Sequence, residues 1–196
     1  GDIKYKDVNG DGVVNGSDKV AIGATTKPNL TYGFGASAKW RGFDLNLLFQ
    51  GVGKSSFFIE GSTVFMFRNG DGGNVLSQLA NGNRWIPREI SGTADTEDPN
   101  ATYPRLSYGG NNNNQQRSTF WLQDGSYMRL KTFELGYSLP KKVTRAMYCN
   151  NVRVFFIGTN LLTWSGFKLW DPELTSSDGK AYPLTRSFSL GVTINL

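Results

Sequence analysis

Residues 32–50 read Tyr-Gly-Phe-Gly-Ala-Ser-Ala-Lys-Trp-Arg-Gly-Phe-Asp-Leu-Asn-Leu-Leu-Phe-Gln, two alternating runs separated only by Arg41 and Gly42. Tyr32, Phe34, Ala36, Ala38 and Trp40 share one face of an extended chain, while Gly33, Gly35, Ser37 and Lys39 share the other. Beyond the turn, Phe43, Leu45, Leu47 and Phe49 oppose Asp44, Asn46 and Gln50, with Leu48 out of pattern. A period of two belongs to strands, and two such runs around so short a break predict a β-hairpin.

Further strands follow toward the end of the chain. Phe133, Leu135, Tyr137 and Leu139 alternate with Thr132, Glu134, Gly136 and Ser138 until Pro140 stops the run. Residues 152–162 are strand-like but apolar on both faces (Val154, Phe155, Phe156, Ile157). Phe188, Leu190, Val192, Ile194 and Leu196 alternate with Ser187, Ser189, Gly191, Thr193 and Asn195. A soluble antiparallel sheet with one face on a core also alternates. Three features select a membrane barrel instead. Each run has the length of about ten residues that a tilted strand needs to cross a bilayer. The polar faces carry Gly, Ser, Thr and Asn, as a wet lumen requires. Aromatics (Tyr32, Trp40, Phe43, Tyr137) stand at strand ends, where interfacial girdles form.

The connections agree. They run short (Arg41-Gly42), very long (53–125), medium (140–151) and long (163–186). Outer-membrane barrels alternate short periplasmic turns with long external loops, so 53–125 and 163–186 are expected outside. The expected fold class is therefore all-β, an antiparallel transmembrane barrel segment with long extracellular loops. Five strands cannot close a barrel, since single-chain barrels start at about eight. An open sheet edge in lipid leaves backbone groups without partners. The remaining strands are expected in an N-terminal portion outside this sequence, which opens on Gly-Asp-Ile without an initiator Met or signal peptide.

Composition narrows the chemistry. The 196 residues contain no histidine, which removes the usual zinc sites and the Ser-His and Cys-His nucleophile systems. The single cysteine, Cys149, can form no disulfide within the chain. The net charge of +5 is spread out, apart from the short group Lys141, Lys142 and Arg145. No basic stripe with interleaved aromatics suggests nucleic acid as a partner. No apolar run approaches the roughly 18 residues of a membrane helix.

One segment has ligand spacing. Residues 7–18 read Asp-Val-Asn-Gly-Asp-Gly-Val-Val-Asn-Gly-Ser-Asp. Oxygen side chains fall at loop positions 1, 3, 5, 9 and 12, which are Asp7, Asn9, Asp11, Asn15 and Asp18. Gly12 occupies the sharp-turn position, and Val13 offers its carbonyl. These residues are the expected metal ligands and calcium the expected ion, in a structural role ahead of the first strand. Asp18 replaces the usual bidentate Glu, and no flanking helices are apparent. The alternative is an Asx- and Gly-rich turn that binds nothing.

With these residues in view, the chain resembles the C-terminal part of SusC-like TonB-dependent transporters of the Bacteroidetes outer membrane. The likeness rests on segments occurring in order. They are Gly-Asp-Ile-Lys-Tyr-Lys-Asp-Val-Asn-Gly-Asp-Gly from residue 1, Tyr-Gly-Phe-Gly and Gly-Phe-Asp-Leu within 32–45, Asn-Arg-Trp at 83–85 and Tyr-Pro-Arg-Leu at 103–106. Phe-Trp-Leu-Gln-Asp-Gly-Ser-Tyr-Met-Arg-Leu-Lys follows at 120–131, then Glu-Leu-Gly-Tyr, Gly-Thr-Asn-Leu-Leu-Thr-Trp, Trp-Asp-Pro-Glu at 170–173, Tyr-Pro-Leu-Thr-Arg at 182–186 and the last strand. The chain ends in Leu196, where such barrels often end in Phe. The resemblance implies that 1–196 is the end of one receptor barrel domain of roughly twenty-two strands, whose plug lies outside this chain. It further implies a bacterial outer-membrane location, TonB as energy source, a SusD-like surface lipoprotein as partner, surrounding lipid, and an oligosaccharide or peptide as cargo.

Loop 53–125 is too long for a passive connection. Its Arg84, Trp85, Tyr103 and Arg105 suit sugars or carboxylates, though packing within the loop is the simpler account of each. Asn111–Gln116 reads as a flexible polar tip. Trp164 and Trp170 are candidates for stacking on a sugar or for interfacial anchoring. Two other classes compete. A dockerin-like calcium module would need a second copy of the 7–18 loop, and a soluble β-sheet carbohydrate-binding protein leaves the strand lengths unexplained. A glycoside hydrolase would need a carboxylate pair. Asp124, Glu134, Asp171 and Glu173 are available, yet no spacing singles out a pair. The chain is expected not to be an enzyme.

Overall fold

The computed structural model describes residues 1–68, 75 and 77–196. In chain order the strands are β1 (Leu30–Trp40), β2 (Phe43–Gly53), β3 (Ser56–Phe58), β4 (Leu122–Asp124), β5 (Tyr127–Ser138), β6 (Asn151–Ser165) and β7 (Ser187–Asn195). Three short helices intervene, α1 (Ser77–Asn81), α2 (Arg88–Ser91) and α3 (Lys141–Ala146). None is long and apolar enough to cross a membrane. β1, β2, β5, β6 and β7 form one five-stranded antiparallel sheet in that order, and β3 pairs with β4. Among the described residues, β1 and β7 are open edges.

The β1–β2 turn comes out as the sequence predicts. Arg41 (φ 47°) and Gly42 (φ 90°) both take positive φ, the requirement of a two-residue turn whose twist matches its strands. Partners across a ladder share a face, so the register aligns the apolar positions into rows. One row is Trp40, Phe43, Tyr137, Val154 and Val192; the next is Ala38, Leu45, Leu135, Phe156 and Leu190. Rings touch along this band, Phe34 with Phe49 at 4.9 Å and Phe43 with Tyr137 at 4.5 Å between centroids. Yet the band is bare. Phe188 is 66% and Leu190 78% exposed. A contiguous apolar face of this extent marks a surface that contacts something other than water.

The opposite face explains two irregularities in the pattern. Leu48 lies on the polar side opposite Gly35, whose missing side chain leaves it room, beside a register shift at Leu48/Phe49. Phe155, also on the polar side, covers Gly191 so closely that any side chain there would collide with its ring. A second shift falls between Leu130 and Thr132. On β6 it coincides with Asn160 at φ 54°, a conformation Asn tolerates better than most residues.

Several boundaries differ from the sequence expectation. β6 runs on to Ser165, so Trp164 is a strand residue opposite Met128, not part of a loop. The 140–151 connection contains α3, whose fixed-φ Pro140 stands at the N-cap. The 53–125 stretch holds β3, β4, α1 and α2.

By internal contacts the chain divides into two compact units. One comprises Ala24–Phe57, Asp124–Thr175 and Tyr182–Leu196, and contains the large sheet. The other comprises Gly1–Gly23, Phe58–Gln123 and Ser176–Ala181. Its core is aromatic and aliphatic: Val64, Phe65, Met66 and Trp121 are buried, with Trp121 edge-on to Phe65 (5.2 Å) and Phe120 (4.8 Å).

Candidate functional site

The polar face of the sheet carries an ion network that crosses three strands. Arg153 of β6 donates Nε to Asp44 of β2 at 3.0 Å and a terminal nitrogen to the same carboxylate. That terminal nitrogen also reaches Glu134 of β5 at 2.6 Å. The planar fork of arginine is what lets one side chain bind two carboxylates, where a lysine would act as a point charge. Gly136 lies beneath. A Cβ there would collide with both the guanidinium and Asp44.

A second cluster ties the segment after β6 to β5. Arg129, only 2% exposed, pairs with Asp171 and, through Nε at 3.3 Å, with Glu173. Lys131 holds both Glu173 oxygens at 2.9 and 3.0 Å. Asp171 also accepts the Glu173 amide at 3.0 Å, starting the short 3-10 turn Pro172–Leu174. Of the four carboxylates weighed for hydrolysis, Glu134, Asp171 and Glu173 are thus bound to cations, and Asp124 accepts the Ser126 amide at 2.8 Å.

The 7–18 loop closes on itself. Asp7 accepts the amides of Gly10 (2.7 Å) and Gly12 (2.8 Å), and Asp18 reaches back to the amides of Val8 (2.8 Å) and Asn15 (2.7 Å). Backbone amides, that of Asn15 foremost, hold the Asp18 carboxyl below its ordinary pKa. Asn9 accepts the Asp11 amide and Asp11 that of Val13, while Asn15 caps a 3-10 turn at Ser17. Gly12 takes φ 85°, the sharp turn expected at that position. Among the described residues, no three Asp, Glu, His or Cys side chains stand close enough together to hold a metal.

The loop residues considered for cargo are engaged in packing. Arg105 grips Asp2 through two bonds, at 2.8 and 3.1 Å, and this keeps the Asp2 carboxyl below its usual range. Gly1 lies against the Trp85 ring, and the Trp85 amide donates to the Tyr103 carbonyl at 3.0 Å. Arg84 donates to the Ala80 carbonyl at 2.5 Å.

Asn111–Gln116 is not a free tip. Asn114 is 2% exposed, accepts the Ile3 amide at 2.8 Å and donates to Asp2 at 2.8 Å, while its carbonyl receives the Trp121 indole at 2.7 Å. Asn111 and Asn113 add bonds to Asp2 and to the Ile3 carbonyl. An extended segment must find partners for its amides and carbonyls, and here asparagine side chains supply them. A run of four asparagines gives no sign of which one is buried. The Arg153 network, by contrast, could have been suspected from three charges on the polar side of neighbouring strands.

No family model matches the chain. Two TonB-dependent receptors of Formosa agariphila do. P26 is 30% identical over 99% of this chain, and P3 is 27% identical over 97%. The chain spans about a fifth of their length (19% and 18%). Among solved structures, the RagAB peptide importer in its open-open state superposes with a TM-score of 0.66 at 23% identity, covering 94% of this chain and 19% of that one. A second RagAB peptide transporter structure gives 0.65 at 24%. Over nearly its whole length the chain is thus similar to a stretch of these TonB-dependent receptors, and the RagAB structures share its strand frame. The likeness fits a C-terminal portion of such a receptor.

Proposed function

We propose that the chain supplies consecutive strands and external loops to an outer-membrane importer. Such a protein would take up oligosaccharides or peptides with energy delivered through TonB, beneath a SusD-like surface lipoprotein. The observation that carries this reading is the bare apolar band on an open sheet whose other face is polar and ion-paired, the inverse of a soluble core. The relatives support it: two are named TonB-dependent receptors, and the structural neighbours are described as a peptide importer. Peptide is therefore the first cargo to try. The full barrel is read as having roughly twenty-two strands, with 53–125 and the stretch after β6, 166–186, outside.

Calcium is proposed for the loop formed by Asp7, Asn9, Asp11, Val13, Asn15 and Asp18. The donor set is oxygen only, with three formal negative charges, which suits a hard cation. An amide-bound carboxylate keeps a lone pair for it. Calcium would draw the three aspartates together and stiffen the segment ahead of β1. Protection of residues 7–18 from proteolysis by calcium but not magnesium tests this.

Import is tested by deleting the gene in its own host and following growth on defined peptides or oligosaccharides. Loss of growth on one class, repeated when TonB is disabled, is the expected result. Unchanged growth on every class, or recovery of the protein in the soluble fraction, would contradict the proposal.

A further inference from the structure

The short-turn end of the sheet carries four exposed cations. α3 exposes Lys141, Lys142 and Arg145, and the β1–β2 turn exposes Arg41. The Ser138 amide donates to the Gly42 carbonyl at 2.8 Å, so the turn and the entry to α3 are neighbours. None of these four cations forms an ion pair among the described residues. Asp44 and Glu134, on the adjoining strands β2 and β5, are held by Arg153.

Apolar and aromatic groups continue from this basic group into the membrane band. Val143 (42%), Met147 (51%) and Tyr148 (94%) are exposed around α3, and Trp40, Phe43 and Tyr137 line the strand ends beside it. Arg41 stacks over Trp40 at 4.9 Å. The helix is fixed, not floppy: Thr144 is buried, the Cys149 amide donates to its carbonyl at 3.0 Å, and the Leu139 amide donates to Val152. Cations fixed just beyond an apolar band, with amphipathic rings between, match the depth profile of a lipid headgroup.

We propose that Arg41, Lys141, Lys142 and Arg145 form a binding site for the phosphodiester headgroup of an anionic phospholipid. The inference rests on the barrel reading above. In that reading the two short connections share the periplasmic side, which makes the occupant an inner-leaflet phospholipid and not the phosphorylated glycolipid of the outer leaflet. Each cation near an anionic surface strengthens association about fivefold.

The test is native mass spectrometry of the full-length transporter released from nanodiscs containing phosphatidylglycerol, phosphatidylcholine or lipopolysaccharide. Wild type is expected to retain phosphatidylglycerol preferentially. K141Q/K142Q/R145Q is expected to lose that retention at least tenfold, while K141R/K142R keeps it. Equal retention of phosphatidylcholine, an indifferent triple variant, or lipopolysaccharide as the lipid lost would overturn the site. Failure to enter any nanodisc would overturn the transporter reading together with it, whereas insertion with indifferent retention overturns the lipid site alone.

Discussion

Arg153 reaches Asp44 by crossing directly over Gly136, so the ion pair between β6 and β2 depends on the absence of a side chain on the intervening strand. Removing one partner of a shielded pair strands the other, which generally costs more than the pair's net worth. Arg153→Met leaves Asp44 and Glu134 facing each other, and the partial exposure of this site reduces the penalty to about 1–3 kcal/mol. Gly136→Val should cost about the same, because it pushes the guanidinium aside. Thermal unfolding of the full-length protein in detergent, read by the gel shift of boiled against unboiled samples, should give lower midpoints for both. Equal midpoints would mean the network contributes nothing.

Asn114→Ala removes an acceptor from the Ile3 amide and a donor from Asp2 in a buried setting. Leaving such groups unsatisfied costs about 1–3 kcal/mol. The expected consequence is local: residues 1–5 become sensitive to protease while the sheet's thermal midpoint holds. Unaltered protease resistance would show that Asn111 and Asn113 suffice.

The Asp2–Arg105 pair predicts a pH dependence. The folded carboxyl titrates below its unfolded value of about 3.9. Its stabilisation is therefore complete above that value and disappears as pH falls through the lower folded pKa. Proteolytic cleavage within residues 1–5, followed with an acid-active protease from pH 5 downward, should accelerate below about pH 4. In Arg105→Met it should be fast throughout and lack the acid step. A wild type without that step would contradict the pairing.

These tests divide along what could be read from the sequence. The β1–β2 hairpin was legible in full, because period two and an Arg-Gly break constrain backbone and faces together. β7 was legible for the same reason. β6 was cut short at 162, because the irregularity at Asn160 breaks the pattern two residues earlier. Asn114 was misread, since burial of a polar residue is decided by distant partners, here 111 and 112 positions away. The geometry of loop 7–18 followed from its glycines and Asx residues, which act on their own backbone.

In the barrel reading, one face of the sheet meets lipid and the other meets water. β7 tests it best, being exposed on both sides here. In a Cys149→Ser background of the full-length protein in outer membranes, single cysteines would be placed along residues 187–195, leaving out Gly191, which the Phe155 ring covers. Each would be labelled with a lipid-soluble or a membrane-impermeant thiol reagent. Positions 188, 190, 192 and 194 are expected to take the lipid-soluble label, and 187, 189, 193 and 195 the aqueous one. Uniform aqueous labelling, or apolar positions shielded from both reagents, would contradict it.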